Sequence, residues 1–323
     1  MNEKINMGFW GRLPKPIFAL APMADVTDCV FRRLIAESGK PAVMFTEFVS
    51  ADGLMSQGRK NLLVDLRFSE VERPVVAQLF SGNPEKMEGA SRLAAELGFD
   101  GIDINMGCPD RSIEKSGAGA ALIKDPKLAK EIIRAAKRGT PNLPISIKTR
   151  IGYKKNEIET WIPTLLEEGL AALTIHLRTR AEMSDVPAHW EFMPGIVALR
   201  DKISPQTLIL GNGDVENLED ARGKIAMSGT DGAMLGRAIF GNPWLFAERD
   251  PSISEKLLML IEHARRYEKE LLPHKNFAIM KKHFKAYVNG FDGAKELRTR
   301  LMEASDAKAV SLEIDRFLET LKV

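Results

Sequence analysis

A cysteine within residues 103–122, DINMGCPDRSIEKSGAGAAL, stands where a thiol could do chemistry. Cys108 follows a short apolar run that predicts a strand, and it lies between Gly107 and Pro109. These neighbours shape a loop that could hold the thiol over a site, where a positioned thiol can act as a general acid. The alternative is a small buried hydrophobic residue, as most free cysteines are. Cys29, the other cysteine, lies in an apolar helical stretch and fits that alternative.

Glycine-rich turns follow the last two predicted strands. These turns are Gly211-Asn212-Gly213-Asp214 and Gly236-Arg237. Such turns expose backbone N–H groups to a phosphate, and an arginine adds a charge-assisted partner. The alternative is that the glycines only make tight turns.

Other polar side chains lie on the facing strands. Lys148 is costly to bury in an apolar strand without an anionic partner, so together with Gln78 it favours a phosphate-bearing cofactor. A surface-facing strand end is the alternative for Lys148. His176 and Arg178 are two residues apart and could face the same way. The alternative for His176 is a core histidine with satisfied hydrogen bonds.

Eight short apolar runs predict strands that are buried on both faces. They are residues 17–23, 43–48, 75–80, 101–105, 145–150, 172–176, 208–212 and 232–236. Amphipathic segments predict helices between most of these strands, but the segment between strands two and three has no clear helical pattern. Eight strand–helix units predict a TIM (β/α)8 barrel, whose chemistry gathers at the carboxyl ends of its strands. A doubly wound open sheet is the alternative, and the chain lacks the complete G-x-G-x-x-G that would favour it.

The pattern changes near residues 250–254, after which only helical periodicity remains. We therefore predict a barrel domain over residues 1–250 and a small helical domain over 251–323. The net charge of the chain is only +2, so affinity for nucleic acid requires a local basic patch. Residues 263–300 supply one, with ten Lys or Arg residues against four acidic ones.

The composition narrows the class of protein. Hydrophobic residues make up 44% and charged residues 28% of 323 residues, and two cysteines make no disulfide framework. Without an apolar run of signal-peptide or membrane-helix length, we expect a cytoplasmic protein. The spacing of His, Cys and acidic residues suggests no metal site, and no Ser-His-Asp signature or P-loop is present.

Eight motifs give the chain a family resemblance. APMADVTD, TEFVSADGL, QLFSGNPE, DINMGCP, IKTRIG, IHLRTR, GNGDV and GTDGAMLGRAIFGNPWLF stand in the order seen in bacterial tRNA-dihydrouridine synthases. The resemblance covers about residues 17–300 and is strongest at NMGCP. It implies an enzyme that binds FMN without a covalent link, takes electrons from NADPH or NADH, and reduces uridine in tRNA to dihydrouridine.

The resemblance also assigns roles. It implies that Cys108 is the proton donor and that Asn105 and Arg178 face the uracil. It further implies that the flavin or its phosphate contacts Pro22, Met23, Ala24, Gln78, Lys148, His176, Asn212, Gly213, Asp214, Gly236 and Arg237. Two loops depart from the family: Asp110-Arg111 replaces the frequent lysine after GCP, and AEMSDVPAHW lacks the aromatic residue and the glycine that many members have before the tryptophan. Both loops lie near the expected substrate side.

The helical domain is expected to bind the RNA. The residues proposed for this contact are Lys281, Lys282, Lys285, Arg298 and Arg300. A solvated helix face is the alternative for any one such run. For the whole chain, the alternatives are an FMN barrel oxidoreductase resembling dihydroorotate dehydrogenase, acting on a free small molecule, and a non-catalytic RNA-binding protein. We expect a monomer that needs no membrane and no metal.

Overall fold

The structure, a computed structural model, describes residues 5–320. A ring of parallel strands forms its centre, with β1 paired to β9 and the order β1-β9-β8-β7-β6-β5-β4-β2. A bridge between Ala19 and Val43 closes the ring. The strands are β1 Ile17–Leu20, β2 Met44–Phe45, β3 Val49–Ser50, β4 Val75–Phe80, β5 Gly101–Met106, β6 Ile145–Arg150, β7 Ala172–His176, β8 Leu208–Asn212 and β9 Gly232–Leu235. The predicted TIM barrel is confirmed, and the open-sheet alternative is wrong.

The second predicted strand, 43–48, is the one that differs most. It is interrupted after Phe45, and a separate short strand, β3, pairs with the end of β4. The backbone ladder is broken here because the backbone N–H of Gln78 donates to a side chain, the hydroxyl of Thr46, at 3.0 Å. The first strand is also shorter than predicted and ends at Leu20.

Helices surround the ring. They are α1 Cys29–Gly39, α2 Ala51–Leu54, α3 Arg59–Leu62, α4 Pro84–Glu96, α5 Arg111–Lys115, α6 Pro126–Gly139, α7 Ile158–Leu166, α8 Met193–Ile203 and α9 Leu218–Ser228. Side-chain caps and proline start α4 and α6: Asn83 and Asp125 accept backbone N–H groups, and proline occupies the first turn of each helix. Between β3 and β4 only short helical segments are present, as the sequence indicates: α2, α3 and two 3-10 turns at Leu63–Leu66 and Glu70–Glu72.

Four further helices follow the barrel: α10 Ile253–Leu271, α11 Met280–Tyr287, α12 Ala294–Glu303 and α13 Ala307–Thr320. A capping box between Ser252 and Glu255 starts α10 within the predicted transition. The ring of Phe31 on α1 stacks on that of His263 on α10, with centroids 4.9 Å apart. Within residues 5–320, no helix combines the length and hydropathy needed to cross a membrane.

The register of the barrel gathers the predicted polar side chains at one rim. Asn105 pairs with Lys148 across β5 and β6, and Arg150 pairs with His176 across β6 and β7. His176 in turn pairs with Asn212 on β8. Since all the strands run parallel, their carboxyl ends share this rim, and it is where the site must be sought.

Candidate active site

The loop after β5 is held by the amide of Asn105. Its Oδ1 accepts the backbone N–H groups of Gly107 at 3.1 Å and Cys108 at 2.9 Å. Its Nδ2 donates to Oε1 of Gln78 at 3.0 Å, and Gln78 Nε2 donates to Asp103 at 2.6 Å. A continuous hydrogen-bonded chain therefore runs from the barrel interior to the cysteine. We call Gln78, Asp103, Asn105 and Cys108 the thiol side of the mouth.

Asp103 anchors the inner end of this chain. It is 1% exposed and also accepts a hydrogen bond from the hydroxyl of Ser146 at 2.6 Å. Burial raises the pKa of its carboxyl to about 6. The sequence predicts no role for Asp103 or Ser146. The available signal was the alternation in GIDIN, which puts Asp103 and Asn105 on one face of β5.

The Cys108 loop is fixed from outside as well. The N–H of Ala120 donates to the Cys108 carbonyl at 2.9 Å. Gly119 has φ +60°, and a Cβ there would lie 2.8 Å from that carbonyl oxygen, so only glycine fits. The thiol itself is half-buried, and burial raises its pKa above the ordinary value. Cys108 is therefore protonated at neutral pH, the state that a proton donor needs.

A buried arginine ties this loop to the next one along the rim. Arg150 is 6% exposed, and its Nε donates to the Gly107 carbonyl at 2.9 Å. Its Nη1 reaches the carbonyls of Thr179 and Met183 in the loop after β7, at 3.0 Å each. The loop that carries the thiol and the loop after β7 are thus one unit, a link that the sequence motifs did not reveal.

Lys148 lies on β6 beside Asn105 and belongs to the cationic part of the mouth. Within residues 5–320, no hydrogen bond or ion pair is found for its ammonium group. Burial, with a further contribution from Arg150, lowers its pKa to about 8. An uncompensated ammonium at the end of a buried strand is unfavourable unless an anion binds to it.

His176 is a neutral imidazole next to this lysine. Burial, Lys148 and three arginines hold its pKa well below the ordinary value. Its Nε2 lies 3.1 Å from Nη1 of Arg178. A guanidinium group can only donate hydrogen bonds, so Nε2 is the acceptor. The proton is consequently on Nδ1, which can donate to a bound group.

The carboxylate of Asp214 binds two arginines, Arg178 and Arg237. Nη2 of Arg178 and Nη2 of Arg237 donate to its two carboxylate oxygens, the latter at 2.5 Å. Although burial acts to raise it, hydrogen bonds from Arg178 and Ala188 lower the pKa of Asp214. Arg178 is 2% exposed, whereas the side chain of Arg237 is 70% exposed. We call Lys148, His176, Arg178, Asp214 and Arg237 the cationic side.

The glycine turns complete this side. Gly213 has φ +120°, and a Cβ there would lie 2.8 Å from Cβ of Ala188 and 3.1 Å from the His176 ring. Asn212 is 8% exposed and donates to the Met234 carbonyl at 2.8 Å, which joins β8 to β9. A Cβ on Gly236 would lie in ordinary contact with Met23, 3.7 Å from its sulfur. The strand-one loop therefore meets the end of β9 at the rim.

The remaining strand-one residues differ in exposure. Pro22 is buried, Met23 is half-buried and Ala24 is exposed. The next residue, Asp25, is in the left-handed region with φ +55°, and its N–H donates to Glu47 at 2.5 Å. This turn carries the loop outward to the helical region.

The helical region lies against that same part of the rim. Lys282 pairs with Asp25 at 3.2 Å, and the half-buried Lys275 pairs with Glu47 at 2.7 Å. Other predicted RNA-binding residues are also engaged: Arg298 donates to the Val288 carbonyl at 2.7 Å, and Arg300 pairs with Glu313 at 2.8 Å. Among the described residues, no such partner is found for Lys281 or Lys285.

One of the two loops that depart from the family has a clear local structure. Asp110 caps the short helix α5 and accepts the N–H of Ser112 at 2.8 Å. Glu114 on that helix forms an ion pair with Arg180 of the loop after β7. The two departing loops are therefore in direct contact at the mouth.

The residues present fit an anionic, phosphate-bearing cofactor. Lys148 lacks a counter-ion within the described part of the chain, His176 has a proton to donate, and Arg237 is exposed beside the glycine turns. The thiol side contributes a positioned, protonated acid to the same rim. The site can therefore hold a bound anion and deliver a proton beside it.

Comparison with known proteins agrees with this arrangement. The family described as "Dihydrouridine synthase (Dus)" matches residues 19–322. The chain is 42% identical to "Probable tRNA-dihydrouridine synthase 2" of Bacillus subtilis (strain 168), over 96% of each chain. It is also 42% identical to "Probable tRNA-dihydrouridine synthase" of Staphylococcus aureus (strain MRSA252), over 96% of this chain and 95% of that protein.

Solved structures share the barrel at much lower identity. A 2-naphthoyl-CoA reductase complex superposes with a TM-score of 0.55 and 12% identity, over 74% of this chain and 52% of that one. Histamine dehydrogenase from Rhizobium sp. 4-9 gives 0.54 and 13%, over 71% and 44%. At this identity the likeness concerns the fold alone. The family match and the relatives, in contrast, cover nearly the whole chain, and the chain belongs to the dihydrouridine synthase family of enzymes.

Proposed function

We propose that the protein reduces the 5,6 double bond of uridine in tRNA to dihydrouridine, with non-covalently bound FMN and with NADPH or NADH as reductant. The observation that carries the proposal is the shared rim, where a protonated cysteine on a fixed loop faces an uncompensated lysine and a neutral histidine. Family membership and the names of the relatives supply the substrate class.

The cationic side would hold the cofactor. Lys148, the Nδ1–H of His176 and Gln78, which lies two strands from Lys148 on β4, would contact the flavin. The phosphate would lie at the glycine turns, held by backbone N–H groups and Arg237. FMN supplies a hydride to one carbon of the double bond when it is bound in reduced form.

Asp214 has a different role from the one its motif implies. Its ionised carboxylate would repel a phosphate, and both of its oxygens already accept hydrogen bonds from arginines. We propose that it is a positioning residue that aims Arg237 at the phosphate. Pro22, Met23, Ala24, Asn212, Gly213 and Gly236 would form the walls around the flavin.

Cys108 would provide the proton. As the hydride adds to one carbon of the uracil 5,6 bond, the Sγ–H proton passes to the other carbon, and the thiolate is reprotonated by solvent. A thiol whose pKa is raised by burial stays protonated before each turnover. The backbone contacts of the loop fix its position, so the acid needs little reorganisation.

Asn105 and Arg178 are expected to face the uracil, and their contacts define what they can do there. All the polar atoms of the Asn105 amide already have partners in the loop and in Gln78. Arg178 is bound by Asp214, His176 and the Val186 carbonyl. We propose that both residues act mainly by positioning the cysteine loop and the histidine.

The helical domain over 251–323 would hold the RNA beside the mouth. Its ion pairs to Asp25 and Glu47 place it next to the strand-one loop. Lys281 and Lys285 are the predicted contacts whose ammonium groups remain available for phosphates, with Lys282 one residue away. A uridine in folded tRNA must leave its stack to reach the flavin, and such contacts would retain the RNA meanwhile.

The test is the dihydrouridine content of tRNA. Nucleosides from a strain lacking the gene are compared by mass spectrometry with those of the parent strain and of strains complemented with the wild-type or Cys108→Ala gene. We expect dihydrouridine to be lost at specific tRNA positions in the strain lacking the gene, and to be restored only by the wild-type gene. Unchanged dihydrouridine, together with flavin in the purified protein, would favour an oxidoreductase that acts on a free small molecule.

A further inference from the structure

A second cluster of polar side chains lies away from the barrel mouth, where α1 meets the helical domain. Asp28 precedes α1, His263 is on α10 and His283 is on α11. All three are buried, with exposures of 2%, 0% and 0%. Their carboxylate and imidazole ligand atoms all lie within 4.8 Å of one another.

The polar atoms of this cluster lack partners. Among the described residues, no hydrogen bond is found for Asp28 Oδ2, for either nitrogen of His263 or His283, or for the hydroxyl of Tyr287. Tyr287 is 1% exposed, and its ring centroid is 6.1 Å from that of His263. Buried polar groups without partners are rare and costly, and three such residues with ligand atoms within 4.8 Å of one another indicate a missing ligand.

We propose that this cluster binds one divalent transition-metal ion, zinc in the first instance. Imidazole nitrogen and carboxylate oxygen are zinc ligands, and two neutral rings with one carboxylate leave a single net positive charge. One nitrogen of His263, one of His283 and Oδ2 of Asp28 would ligate it. The Tyr287 hydroxyl or a water molecule would complete a tetrahedron.

Asp28 is prepared for such a role by its other oxygen. Oδ1 accepts the N–H groups of Val30 and Phe31 at 2.9 Å each, which caps α1 and fixes the carboxyl group. Oδ2 is left pointing away from these donors, free to ligate. An oriented carboxylate with one oxygen anchored and the other available is the arrangement found around metal sites.

The aromatic surroundings fix the two imidazoles. Phe31 stacks on His263 with an interplanar angle of 5°, and its ring meets His283 edge-on at 4.8 Å. Ligands of a tetrahedral zinc ion stand about 3.4 Å apart, since Zn–N and Zn–O bonds are about 2.0–2.2 Å. A separation of up to 4.8 Å closes with small side-chain rotations.

The consequence is structural. The ligands come from the start of α1 in the barrel and from two helices of the C-terminal region, so one ion would fasten the two parts together. Asp28 also lies three residues after Asp25, in the loop that borders the mouth. The metal would therefore set the position of the helical domain relative to the rim.

Metal content of the full chain, purified without a polyhistidine tag, is the first measurement. We expect about one zinc per chain in the wild type by mass spectrometry of the metal, with flavin quantified separately. Asp28→Asn keeps the helix cap but weakens ligation, and His283→Phe keeps an aromatic ring. The metal content of both variants should be at least about tenfold lower than that of the wild type. His274→Ala, which changes an exposed histidine, should keep the wild-type content. Wild-type protein without metal, or variants with unchanged content, would overturn the proposal.

Thermal unfolding gives a second readout that does not involve activity. In metal-stripped wild type, added Zn²⁺ should raise Tm by roughly 4 °C at about 100-fold excess over Kd, because binding stabilises only the folded state. Co²⁺ should give the visible absorption of a tetrahedral N/O site in the wild type but not in Asp28→Asn. A Tm that neither ion changes would show instead a metal-free Asp–His cluster held by hydrogen bonds. Flavin content is independent of both outcomes.

Discussion

The thiol side of the barrel mouth is stabilised by amide and hydroxyl hydrogen bonds, whereas the cationic side concentrates positive charge. On the thiol side, Gln78 and Asn105 connect a buried aspartate to the backbone of the cysteine loop. On the cationic side, Lys148 has no hydrogen-bond or ion-pair partner among the described residues, and His176 is kept neutral by burial and by the cations around it.

The difference separates two tasks. A closed hydrogen-bond chain fixes an acid in place, which suits delivery of a proton. An uncompensated cation attracts an anion and stabilises negative charge that develops on it. Among the described residues, no hydrogen bond joins the two sides, although the Asp103 carboxylate acts electrostatically on Lys148. We therefore expect changes on one side to have only a small effect on the function of the other.

The largest expected effect is on the thiol side. Cys108→Ala should lower dihydrouridine formation roughly 10²–10⁴-fold, the usual cost of losing a general acid. FMN content, read from the absorption spectrum, should not change. Cys29→Ala, which removes the other thiol, is the matched control and should retain activity. Wild-type activity in Cys108→Ala would rule out the proton-donor role.

The next effect is on the cationic side. Lys148→Met should weaken FMN binding roughly 10–100-fold, because a hydrogen bond to a charged group contributes about 1.5–3 kcal/mol. Flavin fluorescence titration of the apoprotein measures it. Lys202→Met, an exposed lysine in the last turn of α8, provides the control. Unchanged FMN affinity in Lys148→Met would place the cofactor elsewhere.

The pH dependence of FMN binding tests the same residue without removing it. Lys148 has a pKa of about 8 in the free protein, so above that pH it is neutral and must take up a proton to pair with an anion. FMN affinity should be flat between about pH 7, where the FMN phosphate is ionised, and pH 8, and should fall by up to about tenfold per pH unit above pH 8. Lys148→Met should abolish that slope, and an equal slope in the variant would assign it to another group.

A smaller effect is expected from the hydrogen-bond chain itself. Asn105→Ala leaves the N–H groups of Gly107 and Cys108 without their acceptor, and two such bonds are together equivalent to about 1.4 kcal/mol. Dihydrouridine formation should fall roughly tenfold at unchanged FMN affinity. A loss of flavin in this variant would join the two sides and contradict their separation.

The smallest effect concerns RNA alone. Lys281→Glu with Lys285→Glu should weaken tRNA binding and reduce the slope of log affinity against log salt by about 1–2, as expected for two phosphate contacts. The flavin spectrum should stay unchanged. Lys202→Glu, at the opposite end of the barrel, should keep the wild-type slope. Equal slopes for both variants would place the RNA path elsewhere.

The positions of site residues along the strands could be predicted from the sequence because they depend on local pattern. Apolar runs mark the strands, and a parallel barrel brings the residues after each run to one rim, so Cys108, Lys148 and His176 could be placed together. The interruption of strand two could not be predicted in this way. It depends on Thr46 accepting the N–H of Gln78, a contact between strands.

The partnerships within the site also required the structure. Asp103 and Ser146 meet because β5 and β6 pair in one particular register, which no single strand specifies. The Asp28, His263 and His283 cluster is more distant still, since the aspartate and the first histidine lie 235 residues apart (263 − 28). Metal-ligand spacing in the sequence is informative only when the ligands share a local element.

The two half-reactions, measured separately under anaerobic conditions, test the central claim most directly. Flavin reduction by NADPH and flavin reoxidation by unmodified tRNA are followed by stopped-flow absorbance in wild type and Cys108→Ala. The separation of the two sides predicts equal reduction rates and reoxidation at least about 100-fold slower in the variant. Equal reoxidation rates, or a parallel loss in both half-reactions, would contradict it.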